Sequence, residues 1–92
     1  MDQMTMLEML KIDLGIVTKA RDQRLTQLLL EAAKLIEREG AALDTDNSIE
    51  DAGLVIQYAG WMWRKRDTGE GMPRMLRWAL NNRIFSQKAS AT

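Results

Sequence analysis

The stretch "DQRLTQLLLEAAKLIEREG", residues 22–40, carries the clearest structural signal in the chain. Its apolar side chains recur at spacings of three and four residues, which places them on one face of an α-helix. The stretch therefore predicts an amphipathic helix from about Lys19 to Glu39 that closes at Gly40 and packs against a helical core. The residues that share the apolar face are Leu25, Leu28, Leu29, Ala32, Leu35 and Ile36.

Three other segments also carry helix signals. Thr5 and Glu8 have the spacing of a capping box, so a first helix is expected to start at Thr5 and to end near Gly15. A third helix is expected over residues 49–66. A fourth is expected to begin near Pro73, because proline suits the first turn of a helix.

These segments place the chain in the all-α class, as a small bundle of about four helices. Two long central helices are expected, with a short N-terminal helix and a C-terminal helix. A length of 92 residues argues for a single domain over residues 1–92. Few apolar side chains are available to hold segments 15–21, 67–72 and 84–92, so we expect disorder there until assembly, with 84–92 as a flexible tail.

The acidic connection "AALDTDNS", residues 41–48, indicates the start of a helix and not a calcium-binding loop. A calcium loop beginning at Asp44 needs glycine at its sixth position and glutamate at its twelfth. This chain has Ile49 and Val55 there. Short polar residues are instead typical of a helix N-terminus. The two candidate capping pairs are Asn47 with Glu50 and Ser48 with Asp51.

The composition provides little catalytic equipment. Cysteine and histidine are both absent, which removes thiolate catalysis, zinc–thiolate sites and the commonest general base. No glycine-rich phosphate loop is visible. We therefore expect a protein that is not an enzyme and needs no cofactor or metal. No apolar run approaches about 18 residues, and no signal peptide pattern is present, so we expect no membrane span and an intracellular origin.

The charges are unevenly distributed although they sum to zero. Residues 1–51 hold 6 basic and 11 acidic side chains, a net charge of −5, whereas residues 52–92 hold 7 basic and 2 acidic ones, a net charge of +5. Chance is one explanation in so small a protein. The other is a molecule with two poles, whose copies stack with the positive patch of one on the negative patch of the next.

The stretch "WMWRKRD", residues 61–67, indicates that the third helix has two apolar faces. Trp61 and Trp63 lie about 200° apart on a helix, so they cannot share a face. Trp61 aligns with Leu54 and Tyr58 on one side. Trp63 aligns with the predicted core stripe on the other side, which consists of Ala52, Val55, Ile56 and Ala59. In the fourth helix, Trp78 and Phe85 likewise lie opposite a core stripe. Such additional aromatic faces are typical of interaction sites, although burial of all three tryptophans in one core is the simpler alternative.

A nucleic-acid-binding surface is the other reading of the same stretch. Arg64, Lys65 and Arg66 point in different directions around the helix and form no stripe along it. Zero net charge also argues against strong phosphate binding. For these reasons a small helical nucleic-acid-binding regulator is kept only as the alternative function.

The order of four segments resembles the small head–tail connector proteins of tailed bacteriophages, also called head-completion or adaptor proteins. The most specific part is a tyrosine and a tryptophan before R-K-R, followed by M-P-R-M-L-R-x-A-L-N-N-R. The resemblance covers nearly the whole chain. The segments are "LKIDLGI" (10–16), "DQRLTQLLLEAAKLIEREG" (22–40), "LVIQYAGWMWRKR" (54–66) and "MPRMLRWALNNRIFSQK" (72–88).

This resemblance implies an α-helical subunit of a homo-oligomeric ring, a dodecamer, that docks beneath the portal protein. The ring would extend the DNA channel, without sequence-specific binding, and offer a docking surface to a downstream neck or tail protein. It implies location in the virion neck, with assembly in the host cytoplasm. Channel walls are often uncharged or acidic, so Glu31 and Glu37 are candidates to face the DNA.

The helical faces and the resemblance together define a candidate interface with the portal or with neighbouring copies. Its C-terminal part, from about Arg74 onward, is expected to make these contacts. The candidate interface residues are Leu54, Tyr58, Trp61, Arg64, Lys65, Arg66, Arg74, Arg77, Trp78, Asn82, Arg83 and Phe85.

Overall fold

Four α-helices, joined by short connections, account for most of residues 1–90, the part of the chain that the computed structural model describes, with side chains described through Lys88. No β-strand occurs in this part of the chain, and the predicted all-α bundle of four helices is confirmed. The helices are α1 (Gln3–Leu14), α2 (Asp22–Arg38), α3 (Ile49–Thr68) and α4 (Arg74–Ser90).

Helix α1 starts earlier than its sequence predicted. Asp2 is the N-cap, and its carboxylate accepts a hydrogen bond of 2.7 Å from the backbone N–H of Thr5. The prediction of a start at Thr5 is therefore wrong, because Asp2 supplies the cap three residues sooner and Thr5 lies inside the helix. Gly15 ends the helix as predicted, in the left-handed conformation (φ 70°) that glycine adopts most readily.

Helix α3 begins at Ile49 as predicted, and the other helix ends of α2, α3 and α4 lie within three residues of the predicted positions where a position was predicted. Helix α2 begins at Asp22, where the carboxylate lies 2.7 Å from the Lys11 Nζ of α1. Ser48 caps α3, because its hydroxyl accepts from the Asp51 N–H at 3.1 Å. Residues 67–68 end α3 and residues 84–90 continue α4, and the expectation of disorder before assembly stays a prediction. Residues 91–92 of the predicted tail lie outside the described part.

Helix α3 occupies the centre of the bundle, and each of the other three helices packs against it. Between Asp51 and Gly60 only Gln57 is exposed, so this stretch is buried nearly all round. At Gly60 a Cβ atom would lie 3.7 Å from Leu10 of α1, which shows how closely the two helices approach. The main buried side chains from the other helices are Met6, Leu10, Leu25, Leu28, Leu29, Ala32, Ile36, Leu76 and Leu80.

The two-sided burial of α3 corrects one expectation about the interface. Leu54 and Tyr58 were predicted to face a neighbour, but both are buried within the chain itself. For Tyr58 the reason is that α4 folds back onto α3, with Arg77 close enough to influence the tyrosine electrostatically. A single chain of this length therefore covers both apolar sides of its central helix.

Two adjacent leucines of α2 provide a matched test of this core. Leu29 is 1% exposed and Leu30 is 54% exposed. We expect Leu29→Ala to lower the free energy of unfolding by about 2–5 kcal/mol, because it leaves a cavity. Leu30→Ala should lower it by less than about 1 kcal/mol. Urea unfolding at neutral pH measures both, and equal losses would contradict the assignment of the α2 core face.

Candidate interaction surface

A buried ion pair attaches α4 to the start of α3. Asp51 is 1% exposed, and the guanidinium of Arg83 donates to both of its oxygens, from Nε at 2.7 Å and from Nη2 at 3.1 Å. The backbone N–H of Asp44 donates to the same carboxylate at 2.9 Å. Because the charge of Asp51 is paired and hydrogen-bonded, it is tolerated in the interior.

Gln87 extends this attachment by one turn of α4. Its side-chain oxygen accepts from the Ala42 N–H at 2.6 Å and from Arg83 at 3.2 Å, and its amide donates to the Gly40 carbonyl at 3.0 Å. Arg83 also donates to the Ala42 carbonyl at 2.8 Å. The connection after α2 is thus fastened to α4 through polar contacts, in addition to the apolar packing of α4 on α3.

A second ion pair attaches the beginning of α4. The guanidinium of Arg77 forms a two-pronged contact with the carboxylate of Glu39, which follows the last turn of α2. Because the Arg77 guanidinium donates hydrogen bonds to the Glu39 carboxylate, the pKa of Arg77 is raised above its usual value. Burial, together with the negative charge of Glu39, raises the pKa of the nearby Tyr58 hydroxyl. Arg77 and Arg83, both candidate interface residues, thus hold α4 in place within the chain.

The side of α4 that faces away from α3 is apolar and open. Met75, Trp78 and Phe85 are exposed by 74%, 63% and 72%, and we call these three residues the α4 outer face. Around Trp78 the surface forms a concavity of about 560 Å³, bordered by residues that include Met72, Arg74 and Asn81. Large exposed side chains grouped in this way are typical of interaction sites. The predicted pairing of Trp78 with Phe85 opposite the core stripe agrees with this exposure.

Trp61 is half-buried at the end of α3. Its ring meets that of Tyr58 edge-on, with 5.4 Å between centroids, and its indole N–H donates to the Glu70 carbonyl at 3.2 Å. The Nζ of Lys65 lies 4.3 Å from the ring centroid. These contacts fasten the connection between α3 and α4. Trp61 therefore has partners within the chain and leaves only part of its ring to solvent.

Trp63 is also half-buried, with guanidinium groups from two different segments beside it. Arg66 stacks with its Cζ 3.6 Å from the ring centroid, and Arg21, from the connection before α2, approaches to 6.0 Å. Arg64 lies 3.5 Å from Glu70, and Arg66 lies 3.8 Å from Asp67. The three cations of residues 64–66 thus all have neighbours within the chain.

The predicted interface residues fall into three groups. Leu54 and Tyr58 lie in the core, and Arg77 and Arg83 attach α4. The cluster at the end of α3 comprises Trp61, Arg64, Lys65 and Arg66. The open surface of α4 retains Arg74, Trp78, Asn82 and Phe85. This last group combines large exposed aromatic side chains on one helix, whereas the exposed members of the second group are the cations 64–66.

The sequence reasoning missed several residues of the site. Met75 belongs to the α4 outer face, and Asp51 and Gln87 hold that helix. Met75 could have been predicted, because it lies three residues before Trp78 and seven before Asn82, on the same side of the helix. A second exposed apolar surface on α1 was missed as well, although Ile12 lies opposite Leu10 and Leu14 by simple helical geometry. We call its members, Met4, Met9 and Ile12, the α1 outer face.

The comparisons with protein-family models, with curated proteins and with solved structures gave no match. Within the described residues, no helix combines the length and the apolar character needed to cross a membrane.

The Asp51–Arg83 pair predicts a specific dependence of stability on pH. Hydrogen bonding from Arg83 is the main cause that lowers the pKa of Asp51, against the opposing effect of burial. The stabilisation by the ion pair is therefore complete above the pKa of Asp51 in the unfolded chain, about 3.9. It is lost as pH falls through the lower pKa of Asp51 in the folded protein. We expect Asp51→Asn to cost about 2–3 kcal/mol at pH 7.

Urea unfolding of both proteins from pH 7 down to pH 3 tests this prediction. The difference between wild type and Asp51→Asn should be constant at neutral pH and should shrink in acid. Asp46→Asn, an exposed aspartate of the same connection, controls for the loss of one negative charge. A difference that persists unchanged in strong acid would show that the ion pair is not its cause.

Proposed function

We propose that this protein is a structural subunit of the head–tail connector of a tailed bacteriophage. In this role copies of the chain form a ring beneath the portal protein, extend the DNA channel and offer a surface to a neck or tail protein. The proposal places it in the virion neck after assembly in the host cytoplasm. DNA passes through the ring without sequence-specific contacts, and no reaction or cofactor is involved.

The α4 outer face is the observation that carries this proposal. Its tryptophan, methionine and phenylalanine are exposed on a helix whose other side is fixed by two ion pairs and by Leu76 and Leu80. A rigid helix that presents large apolar side chains loses little conformational freedom on binding. The segment "MPRMLRWALNNR", 72–83, which belongs to the most specific part of the resemblance to connector proteins, covers the start of this same helix.

The alternative, a small helical nucleic-acid-binding regulator, has less support. Its best candidate surface, residues 64–66, has cations that contact Glu70, Trp61 and Trp63. They also lie at the C-terminal end of α3, where the helix dipole disfavours a phosphate. Duplex DNA binding at low salt that weakens steeply as salt is added would favour this alternative over a connector.

Electron microscopy of the protein mixed with the portal protein encoded in the same genome tests the proposal directly. We expect a ring of this chain, coaxial with the portal, at the end of the portal that faces the tail. A portal that shows no added density at saturating concentrations of the chain would contradict the connector function.

The α4 outer face should contribute to assembly without contributing much to folding. We expect Trp78→Ala to weaken ring formation on the portal at least about tenfold, as for an aromatic hot spot. It should change the free energy of unfolding by less than about 1 kcal/mol. Val17→Ala, at a position 92% exposed on another surface, is the control. Titration of portal by each variant, with urea unfolding in parallel, gives both quantities. Unimpaired ring formation by Trp78→Ala would contradict the assignment of this face.

A further inference from the structure

Two exposed apolar faces lie on different helices of the same chain. The α4 outer face consists of Met75, Trp78 and Phe85, and the α1 outer face of Met4, Met9 and Ile12. Each helix packs on α3 with its opposite side, through Leu10 for α1 and through Leu76 and Leu80 for α4. The molecule therefore presents two apolar ridges with large exposed side chains, and Asp13 of α1 and Met75 of α4 border the same surface concavity between them.

The charges beside these two ridges have opposite sign. On α1, Glu8 lies one turn before Ile12 and Asp13 one turn after Met9. On α4, Arg74 lies one turn before Trp78 and Lys88 one turn after Phe85. None of these four charged groups has an ion-pair partner among residues 1–88. The acidic ridge and the basic ridge are thus complementary in both apolar character and charge.

We propose that the α4 outer face of one copy of this chain packs across the α1 outer face of the next copy. This inference rests on the proposed ring and names the contact between its subunits. The two faces differ, so the contact is heterologous, and each copy uses one face toward each of its two neighbours. The copies form a closed ring if the rotations between successive neighbours add up to a full turn. A symmetric contact between two α4 helices would instead bring the cations Arg74 and Lys88 of one copy close to the same cations of the other copy, where like charges repel.

The pairing also accounts for the charge that remains after internal neutralisation. The two ion pairs that join residues 1–51 to residues 52–92 are Arg77–Glu39 and Arg83–Asp51. They reduce the imbalance from −5 and +5 to −3 and +3, since each pair removes one charge from either side. In the proposed contact, the remaining cations of α4 lie next to carboxylates of the neighbouring copy.

Complementation between two variants tests the pairing. Ile12→Glu places a charge in the α1 outer face, and Trp78→Glu places one in the α4 outer face. We expect each variant alone to self-associate at least about 100-fold more weakly than wild type, because an unpaired charge is unfavourable in a dry contact. A mixture of the two should form a 1:1 heterodimer and nothing larger, because one intact α4 face and one intact α1 face remain. Sedimentation velocity over a range of concentrations measures each species.

Ile49→Glu is the matched control for Ile12→Glu. The two isoleucines are 79% and 77% exposed, but Ile49 begins α3, outside both faces, where a carboxylate suits the helix dipole. This variant should associate as wild type does. Phe85→Glu, at another exposed position of α4, should reproduce the behaviour of Trp78→Glu in the mixture, and urea unfolding verifies that each variant is folded.

Three results would overturn the pairing. These are self-association of Ile12→Glu at wild-type strength, a mixture that stays monomeric while each variant is folded, and a wild-type chain that remains monomeric at every concentration. The proposed function is judged separately, by density on the portal. If rings form on the portal despite both substitutions, the α1–α4 contact is rejected and the connector function stands. If the heterodimer forms but no variant and no wild-type chain binds the portal, the connector function is rejected and the α1–α4 contact stands.

Discussion

The burial of helix α3 on two opposed sides is the constraint to which the other helices respond. From Asp51 to Gly60 nearly every side chain is withdrawn from water, so one layer of helices is not enough to cover it. Helices α1 and α2 supply part of that cover, and α4 returns to supply the rest. Because Asp51 lies within the same buried stretch, the returning helix must also bring a cation, and Arg83 is that cation. The orientation of α4 follows, including the side that it leaves exposed.

Much of the fold was predictable because helical spacing is a local property. The apolar stripe of α2 and the two faces of α3 were both visible as repeats of three and four residues. Helix ends were less predictable, because neighbouring residues compete to cap them. At the start of α1, Asp2 displaced Thr5, and at the start of α3, Ser48 rather than Asn47 acts as the cap. Such choices depend on which polar atom reaches a free backbone N–H in three dimensions.

The candidate site was only partly predictable, because burial depends on contacts between distant segments. The spacing of Leu54, Tyr58 and Trp61 places them on one face of α3, but it does not say that Leu54 and Tyr58 are buried within the chain itself. Similarly, Arg83 lies 32 residues from Asp51, and no local pattern joins the two. Trp78 and Phe85 were found because the face opposite a short core stripe is the exposed one by default. Their exposure carries the connector proposal.

The attachment of α4 near its C-terminal end has a consequence for how the helix opens. Helices usually fray from their ends, and exposed backbone amides then exchange hydrogen with solvent. Fraying of α4 up to Arg83 would leave the carboxylate of Asp51 without its cation in a buried position, which is strongly unfavourable. Opening is therefore expected to stop short of Arg83 or to release the whole helix. The amides between Arg77 and Arg83 then exchange as one cooperative unit, although they lie in the last helix of the described chain.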